Sequence, residues 1–290
     1  MADVGSPAAR RRRLASELRR LRHRARLTGK DVATRLGWSE AKLSRIENGQ
    51  TRVKIADLNE FMELYGVSSP HRAELVALAE ESRETGPLEE LAGELPEGHA
   101  EFLRAESEAE AMWTWEPQVV PGLLQLEDYT RALVQLWPAR LPRPAAEVER
   151  RVQTSRLRQR VLTRAPPLEL LFVIDESVLL RGFAAPWVMR DQLLYLAELS
   201  EQPNIELRIL TLRGNQVIST GTFVYFRFPQ VHGVSLPDSV ALEHLHGTTF
   251  IDSELDVNTY QVFFGALRDN SLSAQDSRDE LRRIARETWY

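Results

Sequence analysis

Between Leu27 and Gly49 the chain reads LTGKDVATRLGWSEAKLSRIENG, a stretch that carries its own start and stop signals for two short helices. Thr28 is placed to cap the first, and Val32, Ala33 and Leu36 recur at the spacing that gives that helix one apolar face. Gly37 follows where a left-handed residue ends a helix, and Ser39 is placed to cap the second. The second helix buries Leu43 and Ile46, which turns Glu40, Ala41, Lys42, Ser44, Arg45 and Asn48 outward. Two short helices joined by a tight glycine-containing turn form a helix-turn-helix, the unit that offers its second helix to the major groove of DNA.

The charge distribution agrees with that reading. The net charge is −5 over 290 residues, but residues 1–65 carry +7 and the remainder −12. A basic end on an acidic body is what a DNA-binding module joined to a non-DNA-binding domain should look like. An apolar fraction of 43% and a charged fraction of 27% are those of a soluble globular chain long enough for two domains. No run of about 18 uncharged apolar residues is present, so no membrane span is expected. Without cysteine there are no disulfides and no thiolate chemistry, and with no secretory leader pattern a cytoplasmic location is the simplest expectation.

Helical spacing extends on both sides of the motif. Leu14, Leu18, Leu21 and Ala25 predict a first helix from about Arg10 to Arg26. Ile55, Leu58, Phe61, Met62 and Tyr65 mark a fourth ending near Gly66, and Pro70 opens a fifth from Ser69 to about Glu84. The expected division is therefore a five-helix all-α domain over 1–84, a Gly- and Pro-containing acidic linker over 85–100, and a second domain over 101–290. In the second domain, helices are expected from Glu101 to Trp115, from near Glu127, from Pro144 to about Arg164, and from Pro186 to Glu201. Strands are expected at 168–175, 204–210, 221–228 and 239–246, with TTFID after them, the later ones antiparallel. Two helices, Leu255–Arg268 and Ser273–Thr288, close an α+β domain.

Over residues 10–66 the spacing LTGKDVATRLG followed by WSEAKLSRIENG resembles the Xre, or Cro/C1-type, helix-turn-helix repressors. That family often has a DNA-touching glutamine at the start of the first motif helix. Gly29 stands there in this chain, leaving a backbone amide to meet a phosphate, with Lys30 beside it. Over most of 101–285, EPQVVPGLLQLEDYTRAL, RLRQRVLTR, LLFVIDESVLLR, MRDQLLYLAEL and GTFVYFRFP resemble the DUF5753 domain of antitoxin-like actinobacterial regulators. The resemblance implies a regulator paired with a small DUF397-type partner protein.

Candidate contacts to double-stranded DNA follow from position. On the second motif helix, Ser39, Glu40, Lys42 and Arg45 are candidates for base or groove contact, Arg45 through a bidentate bond to guanine. Glu40 either accepts from a cytosine amino group or serves as a favourable acid in the helix's first turn. Lys30, Asn48, Thr51, Arg52, Lys54 and Arg10 to Arg13 are candidate phosphate contacts, with Asn48 equally readable as a loop-forming cap ahead of Gly49. Glu47 is expected in a salt bridge inside the motif, to Arg35, and Trp38 is expected to pack on the first motif helix.

The second domain offers less. Asp175 and Glu176 read as a helix start, and His244 and His246 share a strand face without enough further ligands for zinc. Trp113, Trp115, Tyr129, Trp137, Trp187, Phe223, Tyr225 and Phe226 are core, or the lining of an effector or partner site. No phosphate-cradling glycine pattern, G-x-S-x-G or H-E-x-x-H is present, so no catalytic residue, metal or cofactor is expected. The expectation is a homodimeric regulator controlled by a DUF397-type partner, with two alternatives: control by a small-molecule effector, or, ranked last, an enzyme domain tethered to the DNA-binding one.

Overall fold

The computed structural model describes residues 7–82, 98–136, 144–213, 217, 221–230, 234, 236–244 and 247–290. The chain divides into two units, Met1–Ala109 with Arg227–Asp238, and Glu110–Phe226 with Ser239–Tyr290. Among the described residues no helix is long and apolar enough to cross a membrane.

Helix α1 (Pro7–Arg24) is the spine of the first unit, with Leu14, Leu18 and Leu21 buried along one stripe. It ends two residues before the expected position, where Arg26 turns the chain through a left-handed φ of 55°. Helix α2 (Gly29–Leu36) starts in a reciprocal box between Thr28 and Asp31 and stops at Gly37, whose φ of 67° suits glycine. Ser39 Oγ caps α3 (Glu40–Glu47) by accepting from the Lys42 amide at 3.1 Å. Helices α4 (Ile55–Leu64) and α5 (Ser69–Glu81) complete the five expected, and Val32, Leu43, Ile46, Leu58, Phe61, Leu75 and Leu78 join the α1 stripe in one core. The expected linker falls almost wholly on residues outside those described.

A clamp of charged side chains fixes α5 to α1. His71 Nε2 lies 2.7 Å from Glu17 Oε1 and its Nδ1 lies 2.7 Å from Glu74 Oε2. Burial alone would depress the imidazolium, but these carboxylates outweigh it and hold His71 above its ordinary value of 6.5. Burial would raise Glu17, yet Arg20 and His71 bring it below its ordinary 4.5. The His71 contribution is therefore complete below pH 6.5 and lost as pH rises through the raised folded value. The Glu17 contribution is complete above 4.5 and lost as pH falls through the depressed one. Thermal melts should show a stability shoulder between those values, on the order of 1 kcal/mol, on its alkaline side absent from His71→Gln. An unchanged alkaline limb in that variant would refute the assignment.

Helix α6 (His99–Glu108) buries Phe102, Leu103 and Ala105 in the first unit. Here the sequence expectation fails. The helix predicted through Trp115 stops at Glu108, Ala109 is extended, and Ala111–Glu116 is strand β1. The residues AMWTWE contain no breaker. They form a strand because they occupy the interior of a sheet and are buried on both faces.

The sheet of the second unit runs β3-β2-β1-β4-β5-β6. Strands β1, β2 (Glu169–Asp175) and β3 (Ile205–Leu210) are parallel, with Trp113 beside Leu171 and Leu171 beside Glu206. Parallel neighbours need crossovers, and helices supply them. After β1 come a 3-10 turn at Gly122–Leu124, α7 (Glu127–Leu136) and α8 (Ala145–Arg158), which continues as a 3-10 turn to Thr163. After β2 come α9 (Glu176–Leu180) and α10 (Pro186–Leu199). Strands β4 (Phe223–Arg227), β5 (Ser239–His244) and β6 (Gly247–Ile251) are antiparallel, as expected. Helix α11 (Glu254–Asp269) brings Val257, Phe264 and Leu267 to a core with Trp115, Phe223 and Tyr225. Helix α12 (Ala274–Glu287) seals the β3 edge, where Ser277 Oγ accepts from the Ile209 amide at 3.0 Å. The second unit is thus a mixed α and β structure, half of its sheet parallel.

Candidate nucleic-acid interface

Helix α3 turns Glu40, Ala41, Ser44, Arg45 and Asn48 to solvent while Leu43 and Ile46 hold it to the core. Beside that face lies an open groove of about 520 Å³, bordered by Arg19 and Arg22 of α1, Gly29 at the start of α2, and Glu40, Ser44 and Asn48 of α3. Lys30, Ser39, Thr51, Arg52 and Lys54 are exposed as well.

What fixes α3 is an ion pair the sequence reading assigned to the wrong arginine. Glu47 is buried, and its two carboxylate oxygens accept from Arg22 Nε and Nη2 at 2.8 and 2.9 Å, not from Arg35. Arg22 Nη1 also donates to the Leu27 carbonyl, so one guanidinium ties the end of α3 to the turn before α2. Arg19 donates to the Glu47 carbonyl at 2.8 Å and to Asn48 Oδ1 at 2.5 Å, and Asn48 donates in turn to Ser44 Oγ. Asn48 is therefore an anchored cap. Arg19 and Arg22 were missed because their helical spacing on α1 marks a shared face without saying what that face meets.

Lys42 does not follow the expected outward direction. Its Nζ sits 3.6 Å over the Trp38 ring and 3.1 Å from Asp57 Oδ2, so it braces α3 against α4. Trp38 packs, as expected, but its edge-on ring partner at 4.9 Å is Phe61 of α4 and not a residue of the first motif helix. The arginine run is turned inward too. Arg11 Nε donates to the Gly49 carbonyl at 2.8 Å, Arg12 pairs with Glu108 at 2.8 Å, and Arg13 is 1% exposed. Satisfied by partners within this unit, these cations are not the free phosphate-seeking tail the sequence suggested.

A family model described as a helix-turn-helix domain matches residues 13–75. A second, described as a domain of unknown function (DUF5753), matches residues 99–283, well over half of the chain. The chain belongs to the DUF5753 family. No curated protein and no solved structure matches it.

In the DUF5753 part, the residues singled out from the sequence are engaged locally. Asp175 caps α9 by accepting from the Ser177 amide at 2.9 Å, as a helix-start acid should, and Glu176 accepts from the Leu212 amide at 2.8 Å. His244 Nε2 lies 2.9 Å from Thr249 Oγ1, and His246 is outside the described residues. Among the described residues no three His, Asp or Glu gather as metal ligands. Trp113 stacks between Tyr225 and Phe264, at 4.6 and 5.6 Å, and Tyr129 OH accepts from the Val120 amide, so these aromatics serve the core. Trp187 is half exposed, and Trp137 lies outside the described residues. Glu116, at the end of β1, escaped the sequence reading. Burial, reinforced by Glu243, pushes its carboxyl far above the usual range, and Thr222 Oγ1 donates to it at 3.1 Å.

Proposed function

We propose that this chain is a sequence-specific transcription regulator that inserts α3 into the major groove of double-stranded DNA. The observation that carries the reading is the exposed face of α3, with Glu40, Ser44 and Arg45 outward on a helix fixed by the Arg22–Glu47 pair inside a matched helix-turn-helix. Ser39, Glu40 and Arg45 are assigned to base edges. Lys30, Thr51, Arg52 and Lys54 are assigned to phosphates, together with the Gly29 amide at the start of α2. Asn48 and Lys42 are placed at the rim, since each would have to leave a partner to reach DNA.

The molecule acts as a homodimer on two half-sites, because one short recognition helix reads too few base pairs for specificity. The DUF5753 part is the regulatory domain and not an enzyme. It responds to a small protein partner of the DUF397 type, or to a metabolite, either of which must bind the DNA-competent and incompetent forms with different affinity. Co-purification from a host that carries the neighbouring small gene distinguishes a stoichiometric protein from a retained small molecule.

The DNA assignment is tested on the site recovered by chromatin immunoprecipitation. Arg45→Ala should cost about 1–3 kcal/mol of binding, concentrated at one base position. Lys54→Ala should weaken all sequences alike and lower the salt slope by about one. A titration left unchanged by both variants would reduce the motif to a structural role.

A further inference from the structure

Helix α11 carries apolar residues on two opposite faces. Val257, Phe264 and Leu267 turn to the sheet, while Leu255 and Val262 on the far side are 76% and 68% exposed. Leu255, Thr259, Val262 and Ala266 follow one another at steps of four, three and four, the spacing of a two-helix seam, and all four are exposed. Thr259 Oγ1 donates to the Leu255 carbonyl at 2.9 Å, so its own helix satisfies the hydroxyl and the methyl is left for the outside. Gly265 flanks the stripe. Glycine weakens a helix interior, yet among the described residues a Cβ at this position would meet no atom within 4 Å, so the packing of the chain itself does not demand it. A helix that served only to cover the sheet would be polar on this side.

We propose that this stripe is the surface through which two copies of the chain pair, with their α11 helices antiparallel. A second copy fits because the stripe complements itself when it is reversed. A two-fold axis between Thr259 and Val262 lays the large Leu255 of one copy on the small Ala266 of the other, and sets Val262 beside Thr259, each contact made twice. The same axis brings Glu254, which shares a flank with Gly265, level with Arg268 on that flank of the second copy. Arg268 is tied only to its exposed neighbour Asp269 among the ion pairs of this helix, at 3.0 Å, a surface bond that it exchanges at little cost. Gly265 lies on the same flank and lets the two backbones close up. A parallel pair would instead crowd Leu255 on Leu255, leave Ala266 facing Ala266 across a gap, and set Asp252, Glu254 and Asp256 of the two copies against each other. Opposed helix dipoles favour the antiparallel arrangement as well. The seam is short, so the pair is expected to dissociate at roughly 10–100 μM and to be apart in dilute unfolding experiments. The proposal rests on the reading of the chain as a dimeric regulator and gives that dimer its surface.

The chain has no cysteine, so a disulfide between copies reports introduced thiols alone. Leu255→Cys and Ala266→Cys, each made in the full chain, are oxidised mildly without DNA, separately and as a mixture. The antiparallel seam predicts a mixed disulfide that forms at least about fivefold faster than either variant's disulfide with itself. Sedimentation equilibrium of the native chain should show a reversible dimer, weakened at least about tenfold by Leu255→Asp and likewise by Ala266→Glu. Both positions are exposed and both new residues suit their place in a helix, so the fold is kept. Faster self-linking than mixed linking, a dimer that Leu255→Asp leaves intact, or a native chain that stays monomeric over about two decades of concentration around the expected value would each overturn the proposal. So would a stripe that holds a different protein while the chain itself stays single. A gel shift of the native chain separates this proposal from the DNA reading. Mixed cross-linking without DNA binding removes that reading and keeps the seam, whereas DNA binding without mixed cross-linking removes the seam alone.

Discussion

Glu47→Ala is expected to destabilise the first unit by about 3–5 kcal/mol, because it strands the partly buried Arg22 guanidinium without its two-pronged partner. Side-chain exposures of 13% for Arg22 and 7% for Glu47 leave little water to take the place of the lost carboxylate. The loss reaches further than one pair. Glu47 is the last residue of α3, its carbonyl receives Arg19, and Arg22 also holds the Leu27 carbonyl ahead of α2. Tyr65, whose hydroxyl is buried and pushed upward first by burial and then by Glu47, would lose its acidic neighbour. Urea denaturation followed by far-UV dichroism measures the cost. The double variant Arg22→Leu with Glu47→Leu should recover most of it, since apolar replacement of both partners removes the stranded charge. A single-variant cost below about 1 kcal/mol would show that the pair is solvated and that the core alone fixes α3.

That ion pair also marks where sequence reading stops. The caps at Thr28, Gly37 and Ser39 were legible because a cap is decided within four residues of itself. The apolar stripes of α1, α4 and α5 were legible because helical spacing repeats locally. The partner of Glu47 was not, since Arg35 and Arg22 are equally acceptable by charge and only the crossing of α1 over α3 selects one. Arg12 and Arg13 read as phosphate contacts because their acceptors, Glu108 and the Pro229 carbonyl, are supplied by distant parts of the chain. Strand β1 was lost for a related reason. Its residues are compatible with the helix before them, and a strand buried on both faces shows no alternation to betray it. The later strands were found because Gly and Pro punctuate them and β-branched and aromatic residues fill them.

Phe264→Ala is expected to cost the second unit about 3–5 kcal/mol, whereas Val262→Ala on the same helix should change stability by less than about 0.5 kcal/mol. Both residues are apolar and lie on α11. Phe264 is 2% exposed, lies against the Trp113 ring at 5.6 Å and meets Phe223 edge-on at 6.2 Å, while Val262 is 68% exposed. Removing the Phe264 ring leaves a cavity between α11 and the sheet that Tyr225 cannot fill, because Gln261 Nε2 donates to its hydroxyl at 2.5 Å and holds it in place. Trp113 and Trp115 lie in or beside that layer, so tryptophan fluorescence during denaturation reports the loss directly. If Phe264→Ala proved as mild as Val262→Ala, α11 would not be docked through this aromatic layer. The sheet would then have to owe its stability to its other helices, α10 and α12 among them.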